Sequence, residues 1–95
     1  MVLAYAVFDL HLPGCRSLKE KRMIVKSLKS RIRNDFEISA AEVGGQDLLQ
    51  RSELGVAAVG ADQVPLDALL QNVLRFVESN LEGEVLDYRN EFIHV

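Results

Sequence analysis

The chain has 95 residues, 48% of them hydrophobic, two prolines and a formal net charge of −3, which is one domain's worth of sequence with enough apolar material for a core. A single cysteine excludes an internal disulfide and any cysteine-rich metal site, and no stretch approaches the ~18 to 20 apolar residues needed to span a bilayer. The apolar run from Val2 to Leu12 is broken by Asp9 and follows no basic segment, so it does not read as a secretion signal, and the expected compartment is the reducing cytoplasm.

Strict alternation opens the chain. Ala4, Ala6, Phe8, Leu10 and Leu12 fall on one face, while Leu3, Tyr5 and Val7 begin the other, which turns polar at Asp9 and His11; this predicts a central strand over residues 3–12. Pro13-Gly14 is a turn signal. Ser17-Leu18-Lys19-Glu20 is a capping box, so a helix is expected from Leu18 to about Asn34, with Leu18, Ile24, Val25, Leu28 and Ile32 on its apolar stripe. Residues 37–43 (EISAAEV) and 53–60 (ELGVAAVG) read as two strands. Between them, the loop GGQDLLQRS (44–52) is longer than a tight hairpin needs, and an Asp47/Arg51 pair four apart suggests one helical turn there. A second amphipathic helix is predicted from about Gln63 to Asn80, with Pro65 tolerated in its first turn, and a last strand from about Val85 to Phe92.

The order β-α-β-β-α-β with short connections predicts an α+β, ferredoxin-like sandwich over residues 1–95: a four-stranded antiparallel sheet with both helices on one face. Leu3, Tyr5 and Val7 would then lie on the open face, an apolar surface that invites a second subunit or a partner.

Charge is unevenly distributed. Residues 15–33 hold eight basic side chains and one acidic one, whereas the rest of the chain holds three basic and thirteen acidic. At 100° per residue, Lys19, Arg22, Lys26, Lys29 and Arg33 fall within a sector of about 80° beside the apolar stripe. Like charges at helical spacing repel by ~0.2 to 0.5 kcal/mol per pair, and Lys19, Lys21 and Arg22 crowd the helix end where the macrodipole disfavours cations. A helix kept merely soluble usually mixes signs, so the ridge is read as an anion-binding surface. A plain solvated face and an acidic protein partner remain the alternatives. Against nucleic acid stands the acidic isoelectric point, about 5.3, so any such contact must be one-sided.

Other chemistry is sparse. The third strand lacks the aromatic residues of a base-stacking sheet platform. Cys15 stands beside Arg16 but has only His11 as a nearby base and no orienting third group, so it is read as an ordinary thiol, and His94 as incidental. Loop residues Gln46, Gln50 and Arg51 are either a self-satisfied connection or a recognition loop. An acylphosphatase-type enzyme shares this size and topology, but Pro13-Gly14-Cys15-Arg16 does not match its anion loop. No catalytic residue, metal, cofactor or small-molecule substrate is expected.

With PGCRSLKEKRMIVKSLKSRIR and AEVGGQDLLQRSELGVAAVG in view, the chain resembles the YlxP-like family of small bacterial proteins of unknown function. The resemblance runs from the first strand through LRFVES and is most specific at Ser17, Leu18, Lys19, Glu20, Lys21 and Arg22, and at Gln46, Asp47, Gln50 and Arg51. Leu49 stands where relatives often have tryptophan, and Gly45 where many have a larger residue. The resemblance implies a ferredoxin-like fold and, because such proteins are often encoded beside translation factors, an association with RNA or the ribosome. The expectation is a non-enzymatic protein touching the backbone of structured RNA or a ribosomal particle through Arg16, Lys19, Arg22, Lys26, Lys29 and Arg33, with Gln46, Gln50 and Arg51 adding loop contacts. The alternative from another class is a homodimeric interaction module whose open sheet faces pair and whose ridge meets an acidic protein, or a protein of purely structural role.

Overall fold

Alternation over the first residues gives a strand because its even-numbered side chains can all enter one core. In the computed structural model, which describes residues 1–95, β1 (Val2–His11) buries Val2, Ala4, Ala6, Phe8 and Leu10 almost completely. It is followed by α1 (Leu18–Phe36), β2 (Ser39–Gly44), β3 (Arg51–Gly60), α2 (Gln63–Asn80) and β4 (Glu84–His94). The predicted order holds, and the predicted α2 bounds are those observed. β3 and β4 run longer than the alternation suggested, whereas β2 starts two residues later than expected, at Ser39, after the left-handed Glu37 that ends α1. β3 begins at Arg51 because Ser52 is a core position despite its hydroxyl.

The sheet order is β2-β3-β1-β4 with every neighbour antiparallel. This is the ferredoxin-like α+β arrangement, with β1 in the centre as its two-faced apolar pattern required. Register pairs Ala6 with Val56 and with Asn90. A bulge at Val43 in β2 and another at Leu86 in β4 shift the pairing once on each side.

Both helices lie over the core face. α1 contributes Val25, Leu28 and Ile32, and α2 contributes Leu66, Leu70, Val73 and Val77, the fourth-residue spacing that keeps one face inward. Each such aliphatic side chain is worth about 1.5 to 3 kcal/mol of transfer free energy when fully buried. Phe8 packs on Tyr88 at 5.2 Å between ring centroids, and Phe36 meets Phe76 edge-on at 5.5 Å. A smaller cluster of Leu12, Cys15 and Val25 closes the turn before α1.

The ends of α1 follow from local chemistry. Ser17 Oγ accepts the Glu20 N–H at 3.1 Å, one arm of the predicted capping box. The Glu20 carboxylate, however, accepts from the Arg16 N–H at 3.4 Å, one residue earlier than a closed box requires. At the other end Glu37 adopts φ 54°, the left-handed conformation that stops the helix.

Candidate nucleic-acid interface

The basic residues of α1 divide into three groups once the helix is seated on the sheet. Lys21 is the first. Its position falls on the buried stripe with Val25, Leu28 and Ile32, and its side chain is wholly enclosed. The ammonium donates to the carbonyl oxygens of Gly45, Gln46 (3.3 Å) and Leu48 (2.8 Å) and lies 3.2 Å from Glu42 Oε2. Glu42 is the inward-facing residue of β2 next to Ala40 and also accepts a hydrogen bond from the buried Ser52 hydroxyl at 2.6 Å. An ammonium has three donors, so this cage saturates it. The crowding of cations expected at the helix start therefore involves Lys19 and Arg22 but not Lys21, which points into the protein and pins the 45–48 loop.

Arg31 and Arg33 form the second group. Arg31 reaches across to α2, donating to Asn80 Oδ1 at 3.1 Å with its guanidinium 4.9 Å from the Phe76 ring centroid. Arg33 donates to the Ala40 carbonyl, Nε at 3.0 Å, and so anchors the start of β2.

Arg16, Lys19, Arg22, Lys26 and Lys29 are the third group. None of their side chains has a carboxylate within 4 Å or a hydrogen-bond partner; the ion pairs of the chain are His11–Glu84, Lys21–Glu42, Arg51–Asp9 and Arg89–Asp87. The helical four lie on the flank of α1 away from α2, which looks past the edge strand β2. Arg22, Lys26, Lys29 and Arg33 there line a shallow depression of about 320 Å³ together with Ser30 and Glu42, the one carboxylate present being already held by Lys21 and Ser52. Lys19 to Lys29 spans about 15 Å at 1.5 Å per residue, a continuous positive edge long enough to meet more than one phosphate.

The loop residues are placed elsewhere. Residues 45–48 form a turn closed by the Leu48 N–H to the Gly45 carbonyl at 3.0 Å, so the helical turn pairing Asp47 with Arg51 does not form. Arg51, already in β3, pairs instead with Asp9 at 2.7 Å on the open sheet face, the side opposite to α1. Gln50 donates to the Pro13 and Cys15 carbonyls at 3.3 and 3.5 Å, and Gln46 to the Glu42 carbonyl at 3.5 Å. The structure thus gathers Arg22, Lys26, Lys29 and Arg33, leaves Arg16 and Lys19 at the helix start, and separates Arg51 from all of them. The residue pair that the sequence reading passed over is Lys21 and Glu42. Each breaks its own element's pattern, a cation on an apolar helical stripe and an acid on an inward strand face, and two opposite violations of this kind are the signal of a buried ion pair.

Residues 3–90 match the family described as "Protein of unknown function (DUF503)". The chain is also similar to the "Uncharacterized protein YlxP" of Bacillus subtilis (strain 168), at 42% identity over 91 residues that cover 96% of this chain and 99% of the relative.

Proposed function

The chain belongs to the DUF503 family, and from that premise we propose that it is a non-enzymatic RNA-associated protein whose α1 flank neutralises the backbone of a structured RNA, ribosomal RNA being the polyanion of choice for the test. One observation carries the reading: five cations stand on one helix and its leading turn without an internal partner. Repulsion among them is tolerated in the free protein and relieved when phosphates replace condensed counterions. The open sheet face is unsuited to the same ligand. Tyr5 is its one aromatic side chain and is hydrogen-bonded to Glu91, and the row of Glu53, Asp9 and Asp87 across the sheet repels phosphate. Contacts to phosphate fix position without reading sequence, so selectivity would come from RNA shape.

The test is a titration of labelled ribosomal RNA at two salt concentrations, with an acidic protein as control ligand. Five neutralised phosphates give a log–log slope of about −3.5 on single strands, or roughly a hundredfold loss of affinity between 50 and 200 mM salt. Lys26→Glu/Lys29→Glu should reduce that slope to about −2 while leaving the fold intact. Binding that is insensitive to salt, or equal in the double variant, refutes the reading; preferential binding of the acidic protein replaces it with the protein-partner alternative.

A further inference from the structure

Antiparallel pairing directs the backbone groups of successive residues to opposite sides of a strand, so an outer strand leaves half of them bare. In β4 the bare set can be identified. The Val95 N–H donates to the Met1 carbonyl at 2.9 Å and the Met1 ammonium to the Val95 carbonyl at 3.1 Å, so in the unbroken register from there to Asp87 the backbone of Ile93, Glu91 and Arg89 bonds to β1. The N–H and C=O groups of Tyr88, Asn90, Phe92 and His94 point away from the sheet and have no partner in the chain. The opposite edge is closed. There β2 is only six residues long and bulged, and the carbonyls of Ala40 and Glu42 accept from the side chains of Arg33 and Gln46. The 11 residues of β4 include neither lysine nor proline to blunt that edge.

We infer that β4 pairs antiparallel with β4 of a second copy of this chain, about a two-fold axis perpendicular to the sheet at Asn90, joining the two four-stranded sheets into one. The row of side chains selects both the partner and the register. On the open face β4 presents Asp87, Arg89, Glu91 and Ile93. An axis at Asn90 sets Arg89 of each copy against Glu91 of the other, in the non-hydrogen-bonded pairs where side chains approach most closely. Moving the axis by one residue sets Arg89 on Arg89 or Glu91 on Glu91, which like-charge repulsion opposes. Centring on Tyr88 matches Asp87 with Arg89 but drives the ladder into the bulge at Leu86, and centring on Phe92 leaves both Arg89 and Glu91 without an opposite charge. Both members of the favoured pair are available: Arg89 approaches Asp87 only to 4.0 Å at an exposed site, and Glu91, which accepts from the Tyr5 hydroxyl, keeps a second carboxylate oxygen. On the helix side the same register lays half-buried Tyr88 against half-buried Phe92 of the other copy, with the two Asn90 side chains facing at the axis.

The helices leave room for this arrangement. The axis stands one and a half strand spacings, about 7 Å, from β1. The two α2 helices, seated chiefly over β1, are then about 14 Å apart, wider than the 8 to 10 Å of packed helices. One strand pair buries less surface than a permanent dimer, so the association is reversible. It places the two α1 flanks at opposite ends of the joined sheet and does not rest on the RNA reading.

Sedimentation over about 5 to 500 µM tests the association. Mass should rise from monomer to dimer across that range, and the amides of Tyr88, Asn90 and Phe92 should exchange with deuterium more slowly at its upper end. Arg89→Glu sets acid against acid and Glu91→Arg sets base against base, so each variant alone should raise the dissociation constant about tenfold or more with unchanged far-ultraviolet circular dichroism. Mixed in equal amounts, the two variants regain opposite charges at both pairs and should associate as the wild type does, a recovery that misfolding of either cannot produce. Asn90→Pro removes an N–H that faces solvent in the monomer and should abolish the dimer while the fold remains. A wild-type chain that stays monomeric throughout overturns the inference and leaves the β4 edge to an extended segment of another protein. A dimer that survives either charge variant, or variants that stay apart when mixed, overturns it as well.

Discussion

Replacing Lys21 by methionine keeps the unbranched apolar stem and removes only the ammonium, so it isolates the polar work of that side chain. In the wild type the ammonium serves three loop carbonyls and the Glu42 carboxylate from a site of zero exposure. After Lys21→Met, water can reach the loop carbonyls, since Gln46 and Leu48 are at the surface, but the Glu42 side chain is only 15% exposed and keeps the Ser52 hydroxyl as its donor. Breaking a buried ion pair from one side costs about 3 to 5 kcal/mol; the partial access of water places this case near 3 kcal/mol. For a domain of this size each kcal/mol lowers the melting temperature by about 4 to 8 °C, which predicts a fall of roughly 12 to 24 °C by calorimetry. Amides of residues 44–50 should exchange with deuterium faster than those of the β1–β3 ladder. Adding Glu42→Gln removes the stranded charge and should recover about 1 to 2 kcal/mol, an interaction visible in the double-mutant cycle. A loss below about 1 kcal/mol in the single variant, or a double variant no better than the single, would show that Lys21 acts through its stem alone.

Three further outcomes are expected. A Cβ on Gly83 would sit 2.0 Å from the His11 carbonyl oxygen, so Gly83→Ala must push the β4 entry away from β1 and lose roughly 2 to 3 kcal/mol in urea unfolding; a neutral result would mean that this turn moves freely. Glu37 holds φ 54° at the end of α1, and Glu37→Gly should stabilise by about 0.5 kcal/mol, the strain of a side chain in that region less the added chain entropy of glycine. Burial first, and the nearby Glu20 carboxylate second, push the Cys15 thiol above its ordinary value. The folded chain therefore retains the thiol proton more strongly than the unfolded chain. The stability this gives is full below the unfolded thiol's pKa and is lost as pH rises through the folded one. Iodoacetamide at pH 8 should label the native protein far more slowly than the urea-unfolded protein, and equal rates would contradict the burial.

Much of this architecture is written locally. The two-residue alternation of β1, the 3.6-residue stripes of α1 and α2, and the Ser17 cap each depend on neighbours a few positions away, which is why element order, the inward face of β1 and the bounds of α2 were legible in the sequence. The one-sided distribution of cations was legible for the same reason, since residues three and four apart on a helix share a flank. Which of those cations remain free was decided by contacts between residues far apart in the chain. Lys21 is neutralised by a strand 21 positions later, Arg31 is held by Asn80 of α2, and Arg51 pairs with Asp9 on the sheet face away from α1. Periodicity assigns a side chain to a face, but only the register of β2 against β3 and the seating of α1 on the sheet bring an opposite charge or a bare carbonyl within reach. Coulomb attraction and hydrogen bonding act over a few ångströms in space, with no regard to distance along the chain.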